Sequence, residues 1–421
     1  MSDNAKVSWD SLPVEIVTQI LLRLPIESII ISTSVCKTWK SIIQNPTFIP
    51  THLHHSTTTN HLLLFTISSG SKQIYALRND DDNDFTEHSR FDFLVDSFTI
   101  NPRFRVVATC NGLVCFSDDL LGYTNRFYLW NPCVRSYVKL PYPNFTFEDG
   151  DEFIHSIGFG FDRKTNDYKV VRMVSLWDDP NCGKDRPTVE VYTLSTGEWR
   201  MVTPVLSPIC ILNSNDTPAF VNGALHWIGR RRNEYDDYQL RYFVLVFDLG
   251  DEVFREIPLP ELPDYNPEED CIELSSVYGN SIALFHGSIF SGFLDIWVMK
   301  EYGVASSWTK VFTCTEYNLG LDLQCLPLGF RRNSKLVLKT QSSLISLDLE
   351  NQNMKDLGIN TYSYTFVGSY VESLVLLDKA ANGALQTEKN RSNAFILGIH
   401  HKLRFDMAMF YTLLLLIDYL N

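Results

Sequence analysis

The chain has 421 residues, of which 36 are Lys or Arg and 50 are Asp or Glu, so its formal net charge is −14. This acidic balance argues against a protein that binds the phosphate backbone of nucleic acid, because that task requires a basic face. The hydrophobic content of 45% excludes wholesale disorder, and the 13% of aromatic residues favours strands over helices.

The cysteines and the termini predict an intracellular protein. Nine cysteines without any Cys-x-x-Cys pair indicate core thiols rather than disulfides or zinc ligands. The first residues lack the apolar stretch of a secretory signal. The longest apolar run near the end, residues 407–417, is shorter than the ~20 residues that a membrane helix needs. We therefore expect a cytoplasmic or nuclear protein with no membrane span, no metal and no cofactor.

Residues 8–50 have a helical pattern that the rest of the chain lacks. Pro13 can start a helix without losing a hydrogen bond, and Pro25 ends that helix. Three short helices are predicted, and they are too small a set to bury much surface alone. From spacing alone, the helices are either a cap packed on the rest of the chain or a module completed by a partner. The first helix carries an apolar stripe at helical spacing: Ile16, Val17, Ile20, Leu21 and Leu24.

Three sequence elements occur in order here: Leu12-Pro13, then Ile20-Leu21-Leu22-Arg23-Leu24-Pro25, then Val35-Cys36-Lys37-Thr38-Trp39. Together they resemble an F-box. The resemblance implies docking onto a Skp-type adaptor and, through it, a cullin, within an SCF-type ubiquitin ligase. It assigns nine residues to adaptor-facing or motif-core positions, without separating the two: Leu12, Pro13, Ile20, Leu21, Leu24, Pro25, Val35, Cys36 and Trp39. We predict a solvated linker at residues 51–60, where His52, His54 and His55 have no nearby metal-ligand partners.

Beyond residue 60 the helical period gives way to short predicted strands. An apolar strand ending in a polar residue is followed six positions later by a large apolar residue, as in Asn131 with Tyr137 and Thr193 with Trp199. The pattern recurs about every 50 residues, a period typical of kelch-type propellers. Five units are visible, and residues 61–77 are expected to pair with 365–377 in a sixth blade. A pair of β-sandwiches is the alternative.

The strand region also resembles the plant F-box-associated domain over roughly residues 60–378. The motifs that carry this likeness are Trp130-Asn131-Pro132, Ile157-Gly-Phe-Gly-Phe-Asp162, Thr165-Asn-Asp-Tyr-Lys-Val-Val171, Phe220-Val-Asn-Gly-Ala-Leu-His-Trp227 and Tyr370-Val-Glu-Ser-Leu374. The family includes the S-locus group, whose members receive pistil ribonucleases. The expected fold is therefore a small N-terminal three-helix F-box followed by an all-β propeller of about six blades at residues 61–378. Residues 379–421 match neither pattern and stay unassigned.

Almost all of the long, dissimilar segments between predicted strands belong to one face of such a propeller, and binding usually resides on loops carried by a rigid scaffold. They include 117–125, 178–187 and 229–239 within blades, and 142–153, 203–219, 259–275 and 314–326 between blades. We predict a protein substrate here, and the acidic balance indicates a basic one. The candidate substrate-binding residues are Trp177, Arg230, Arg231, Arg232, Tyr235, Tyr238, Glu148, Asp149, Asp151 and Glu152.

Two functions remain open at this point. The first is a non-catalytic substrate receptor of an SCF-type ubiquitin ligase, which raises the effective concentration of substrate lysines near ubiquitin. The second is a propeller enzyme or scaffold whose N-terminal helices are a structural cap. No nucleotide-binding, serine-hydrolase or zinc-protease motif occurs in the sequence.

Overall fold

The computed structural model describes residues 12–59, 61–69, 72–80, 85–93, 104–120, 125–146, 153–176, 187–203, 210–211, 217–233, 236–262, 265–266, 269–277, 281–288, 293–315 and 326–378. Residues 376–421 form a second unit, of which only 376–378 belong to these ranges. All elements considered below lie in the first unit.

Four helices, which we call the head (residues 12–59), begin the described chain: α1 Val14–Leu21, α2 Ile26–Ser32, α3 Lys37–Ile43 and α4 Phe48–Thr59. Pro13 and Pro25 occupy the N-caps of α1 and α2. Cys36 caps α3, because its Sγ accepts a hydrogen bond from the Trp39 N–H at 3.4 Å. The other three helices all contact α3.

Helix α4 corrects the predicted linker at residues 51–60. It extends to Thr59 and buries one face through Phe48, His52 and Ser56, which are four residues apart and therefore lie on one side of a helix. His52 is only 3% exposed. The sequence pattern missed this helix because its histidines and threonines show no apolar period, and burial against neighbouring elements supplies the stability that propensity does not.

Six antiparallel sheets follow the head in the part of the chain that the structure describes, and in five of them four principal strands pair in chain order. Blade 1 contains β1 Leu62–Ser69, β2 Lys72–Asn79 and β3 Glu87–Phe91, and blade 2 contains β4 Arg105–Cys110, β5 Leu113–Ser117, β6 Phe127–Asn131 and β7 Ser136–Lys139. Blade 3 contains β8 Phe153–Asp162, β9 Asp167–Leu176, β10 Thr188–Thr193 and β11 Glu198–Val202. Blade 4 contains β12 Cys210–Ile211, β13 Ala219–Val221, β14 Ala224–Asn233, β15 Asp236–Asp248 and β16 Phe254–Pro258.

The remaining strands complete the ring. Blade 5 contains β17 Asp270–Val277, β18 Ser281–Ser288, β19 Phe293–Met299 and β20 Trp308–Thr315. Blade 6 contains β21 Leu326–Phe330, β22 Leu336–Lys339, β23 Ser343–Leu347 and β24 Met354–Asn360. The last strand, β25 Val367–Tyr370, joins blade 1 by pairing with β1, with Leu62 opposite Tyr370. The predicted sixth blade is therefore confirmed.

Contacts between blades close the circle. Strand β4 contacts β25 and β8, β14 contacts β8 and β17, and β21 contacts β17 and β25. The six-bladed propeller expected from the repeat is thus the observed architecture. The Gly-Phe-Gly sequence of β8 reflects this packing: a Cβ at Gly158 would lie 2.6 Å from the Leu225 side chain, and one at Gly160 would lie 2.5 Å from the Phe220 ring.

The repeated large apolar residue has a structural role in the blades. Trp199 donates its indole N–H to the Pro141 carbonyl oxygen at 2.8 Å, and Trp308 donates to the Pro258 carbonyl oxygen at 3.0 Å. Each indole therefore ties its blade to the chain that arrives from the preceding blade. Buried aromatic residues with a polar atom suit this task, since they add apolar area and one directed hydrogen bond.

Antiparallel pairing divides the propeller into two faces. Within each blade the first and third connections emerge at one end of the strands, and the second connection and the link to the next blade emerge at the other. We call the first the short-turn face, where the two-residue turn Asn222-Gly223 has positive φ angles of 52° and 78°. We call the second the long-loop face.

Candidate functional site

The head exposes apolar side chains that a protein interior would normally bury. Val14, Ile16 and Val35 are 53%, 48% and 60% exposed. The nine residues predicted from the F-box resemblance separate by burial: Leu21 is buried, Leu12, Ile20, Leu24 and Trp39 are half-buried, and Pro13, Pro25, Val35 and Cys36 are exposed. Leu21 thus belongs to the core of the head, whereas the exposed members are available for a partner.

Val14 and Ile16 were missed as candidate site residues. Ile16 belongs to the apolar stripe in the sequence, but spacing alone does not show which edge of a stripe is covered. In α1, Val17 and Leu21 face the core, and Ile16 and Ile20 form a neighbouring row that is four residues apart. An exposed row beside a buried one is the pattern expected of a helix with two apolar partners.

The head lies against the short-turn face of the ring. Glu372 follows β25 and accepts a hydrogen bond from His88 Nε2 in β3 at 3.3 Å. This hydrogen bond raises the pKa of His88, and the charge of Glu27 in α2 adds to the effect. Burial lowers the pKa of His52 in α4 to about 4, against the opposing charge of Glu372. Two head residues are therefore close enough to the ring closure to act on it electrostatically.

The long-loop face is consequently opposite the head. Its connections contain nineteen Asp and Glu residues against four Lys and Arg, whereas those of the short-turn face contain nine against seven, counted between the strand bounds given above. The negative charge of the chain is therefore concentrated at the strand ends away from the head. Charge of one sign on one face creates a field that a partner of opposite charge experiences before contact.

The predicted arginine cluster is corrected by the structure. Residues 229–239 were expected to be a loop, but Arg230, Arg231 and Arg232 lie in β14, and Tyr238 lies in β15. Arg231 forms an ion pair with Glu256, and its guanidinium carbon lies 4.6 Å from the Phe243 ring centre. Because its side chain is held within its own sheet, Arg231 is a structural residue rather than a free binding group.

Other predicted substrate-binding residues are not located. Trp177, Tyr235, Glu148, Asp149, Asp151 and Glu152 lie outside the described residues, as do the side chains of Arg232 and Tyr238. Arg230 is half-buried in β14, opposite Tyr242 of β15. The structure therefore does not gather the ten predicted residues into one site.

A buried ion pair that the sequence analysis missed supports the long-loop face between blades 2 and 3. Arg172 in β9 donates to Glu190 of β10 at 2.7 Å and to the Phe145 carbonyl oxygen at 2.8 Å. It also donates to the Asn125 side chain at 2.8 Å. Glu190 in turn accepts the backbone N–H groups of Asn144 and Phe145 at 2.8 and 3.1 Å. The pair therefore fixes the bases of two connections.

A second buried cluster joins blades 2 and 3 at the same face. Arg105 donates to Asp119 at 2.6 Å, and His155 Nε2 lies 3.1 Å from the same carboxylate oxygen. Although burial alone would raise it, the hydrogen bonds from His155 and Arg105 hold the pKa of Asp119 well below its usual range. The three groups satisfy one another, so they brace the two blades.

Metal and membrane features were sought over the described ranges only. There, no group of three or more His, Cys, Asp or Glu side chains is placed to hold a metal ion. Within the same residues, no helix has the length and apolar character needed to cross a bilayer.

Comparison with known proteins then identifies the family. Residues 62–377 match the family model of the F-box associated beta propeller domain, and residues 9–51 match that of the F-box domain. The chain belongs to the F-box proteins with an F-box-associated propeller. An F-box protein of Arabidopsis thaliana is 33% identical over 77% of this chain and 75% of its own length. F-box protein CPR1 of the same plant is 27% identical over 87% of this chain and 89% of its own.

Solved structures add little to this assignment. A six-bladed lectin of Aleuria aurantia is 8% identical to this chain, with a TM-score of 0.38. The match covers 72% of this chain and 97% of the lectin. Dipeptidyl peptidase 4 of Porphyromonas gingivalis is 12% identical with a TM-score of 0.33, over 72% of this chain and 45% of its own. The F-box implies binding to a Skp-type adaptor, and F-box proteins are generally non-catalytic.

Proposed function

We propose that this protein is the substrate receptor of an SCF-type ubiquitin ligase in the cytoplasm or nucleus. The head binds the Skp-type adaptor, and the propeller binds the protein to be ubiquitinated. The observation that carries the proposal is the set of exposed apolar residues on the head, Val14, Ile16 and Val35. Apolar contacts of this kind supply most of the binding energy at the centre of an interface.

Adaptor binding is tested with substitutions on the head. Replacing Leu12 and Pro13 together by Ala removes an apolar contact and a helix start, and we expect a loss of at least about 2 kcal/mol, or roughly thirtyfold in affinity. Ile16→Asp together with Val35→Asp places charge on exposed positions and should have a larger effect. Val253→Asp is the matched control, because Val253 is 54% exposed but belongs to the ring.

The adaptor experiment also separates the two functions that the sequence left open. A propeller enzyme or scaffold with the helices as a cap would not hold a Skp-type adaptor in a pull-down with purified proteins. Unchanged adaptor binding by the Asp variants, with a ring that still unfolds cooperatively, would refute the proposed use of this surface.

We further propose that the long-loop face receives the substrate and that the substrate is a basic protein. The support is the unequal charge of the two faces and the position of the head on the opposite one. Opposite charges raise association rates, and salt reduces the gain. Neutralising the acids of 148–152 and 264–270 should slow association at low salt and reduce the salt dependence.

A basic secreted ribonuclease of the type received by the S-locus group is one candidate substrate, and it rests on the family resemblance. Purified ribonuclease and an acidic protein of similar size are the probes for a rate measurement at two ionic strengths. An association rate and salt slope unchanged by the neutralising substitutions would contradict the electrostatic part of the proposal.

A further inference from the structure

Two exposed apolar side chains lie at the long-loop end of the junction between blades 2 and 3. Tyr142, in the connection from β7 to β8, is 57% exposed, and Met201, in β11, is 52% exposed. Trp199 of β11 donates to the Pro141 carbonyl oxygen at 2.8 Å, and Asn144 donates to the Trp199 carbonyl oxygen at 2.9 Å. These two bonds attach the connection to β11 on both sides of Tyr142.

Met201 faces the same connection. Side chains two residues apart on a strand share a face, and the Trp199 side chain reaches Pro141 and packs 5.5 Å from the Phe127 ring of blade 2. Met201 therefore also points to the blade 2 side of β11. Tyr142 and Met201 consequently border one spot, which we call the rim patch.

The backbone next to the rim patch is fixed by hydrogen bonds to buried side chains. The Arg172–Glu190 pair binds both backbone N–H groups of Asn144 and Phe145 and the Phe145 carbonyl oxygen, immediately after Tyr142. Tyr142 is close enough to the Arg126 side chain to raise the pKa of that guanidinium. A patch already in its bound conformation loses little entropy on binding, and Tyr and Met are among the residues enriched in interfaces.

We propose that the rim patch is the apolar anchor for the substrate protein, and that it takes an apolar side chain of a segment that also carries Lys or Arg. The inference rests on the proposed function and specifies its binding site. The basic character follows from charge complementarity, since the connections of the long-loop face contain nineteen Asp and Glu residues against four Lys and Arg. The apolar patch lowers the dissociation rate of the substrate, and the surrounding charge raises its association rate.

The test uses the full chain in complex with its Skp-type adaptor and a displayed library of random twelve-residue peptides. The strongest binders are synthesised with a fluorescent label and titrated against the wild-type protein, Tyr142→Ala and Met201→Ala. Val311→Ala is the matched control, because Val311 is a 44% exposed strand residue of blade 5. We expect binders that pair an apolar residue with Lys or Arg, and affinity at least tenfold weaker with each patch variant but unchanged with the control.

The patch variants should also show how binding is lost. Their dissociation rates should rise equally at low and high salt, because an apolar contact is not screened. Thermal unfolding of both variants should match the wild type, since neither side chain is buried. The inference would be overturned if the peptides bound both patch variants with wild-type affinity, or if the library yielded no binder.

Self-association is the competing use of an exposed apolar patch, and analytical ultracentrifugation decides it. A dimer of this chain that Met201→Ala converts to monomer would assign the patch to a second copy and overturn the substrate anchor. The adaptor pull-down is independent of these results. Peptide affinities that the patch substitutions leave unchanged, with adaptor binding intact, would refute the patch alone, and a wild-type chain that does not bind the adaptor would refute the ligase function.

Discussion

The two faces of the propeller differ in what their residues do. On the short-turn face, Asn131 donates to the carbonyl oxygens of Ser373 and Val375, both at 2.8 Å, and Tyr370 donates to that of Gly112 at 3.1 Å. Lys169 binds Asp162 of its own blade and Glu252 of the next, each at 2.8 Å. On the long-loop face, the described polar clusters brace the bases of connections whose sequences are dissimilar.

This difference explains what the family resemblance means. The motifs that carry it include Trp130-Asn-Pro132, Gly158-Phe-Gly160 and Tyr370-Val-Glu372, and their residues close the ring or pack the blades. They are structural residues. A match in these motifs therefore establishes architecture and carries no information about the substrate, which the opposite face is proposed to recognise.

The largest expected effect breaks the packing between blades near the short-turn face. Gly160→Val places atoms where a Cβ already lies 2.5 Å from the Phe220 ring, so blades 3 and 4 must separate. We expect destabilisation of about 3 kcal/mol or failure to fold, measured by chemical denaturation. Glu198→Val, at an exposed strand position, is the control and should change stability by less than about 0.5 kcal/mol. Equal stability of the two variants would show that Gly160 is not required.

An effect of comparable size tests how the long-loop face is fixed. Arg172→Met leaves Glu190 buried without its partner and should lower the free energy of unfolding by about 3–5 kcal/mol. Arg172→Met with Glu190→Leu should recover part of that loss. Lys164→Met is the control, because the Lys164–Asp251 pair is 58% exposed on both sides and should contribute little to stability. If Arg172→Met matched this control, the buried pair would not hold the connections.

Acid should destabilise the head and the short-turn face together. Burial lowers the pKa of His226 to about 4, as it does for His52, whereas both titrate near 6.5 when unfolded. The unfolded chain therefore takes up protons first, so stability is full above pH 6.5 and falls as pH decreases towards 4, by up to about 3 kcal/mol per histidine. His226→Gln and His52→Gln should each reduce the loss of stability that accompanies the decrease in pH. His54→Gln, at an exposed position, should leave it unchanged, and equal slopes for all three would contradict the prediction.

The smallest effect concerns the His88–Glu372 pair of the ring, on the face where the head lies. Glu372 raises the pKa of His88, so this contribution is full below pH 6.5 and is lost as pH rises through the raised pKa. Because His88 is 35% exposed, Glu372→Gln should cost less than about 1 kcal/mol. Limited proteolysis near residue 60 should be faster for Glu372→Gln than for the wild type at pH 6 and similar at pH 9. Glu350→Gln, an exposed acid of blade 6, should match the wild type at both.

Some errors of the sequence analysis show what local patterns omit. The fourth helix was missed because its buried face consists of Phe48, His52 and Ser56. Two of these residues are polar, so they do not produce the apolar period that predicts a helix. Residues 229–239 were taken for a loop because they form a long segment whose sequence is unlike that of the other segments between predicted strands. The ladder from Ala224 to Arg232 instead pairs them with β15 in one long hairpin, and composition does not record this pairing.

The sequence by itself determined the head, the repeat and the way the ring closes. These features depend on local spacing: capping prolines, apolar periods and a unit that recurs about every 50 residues. Only the tertiary structure decided that Ile16 is exposed while Leu21 is buried, and that Arg172 meets Glu190 beneath the connection carrying Tyr142. Exposure and buried pairing depend on which elements contact one another in the folded chain. The spacing of residues along the sequence does not specify those contacts.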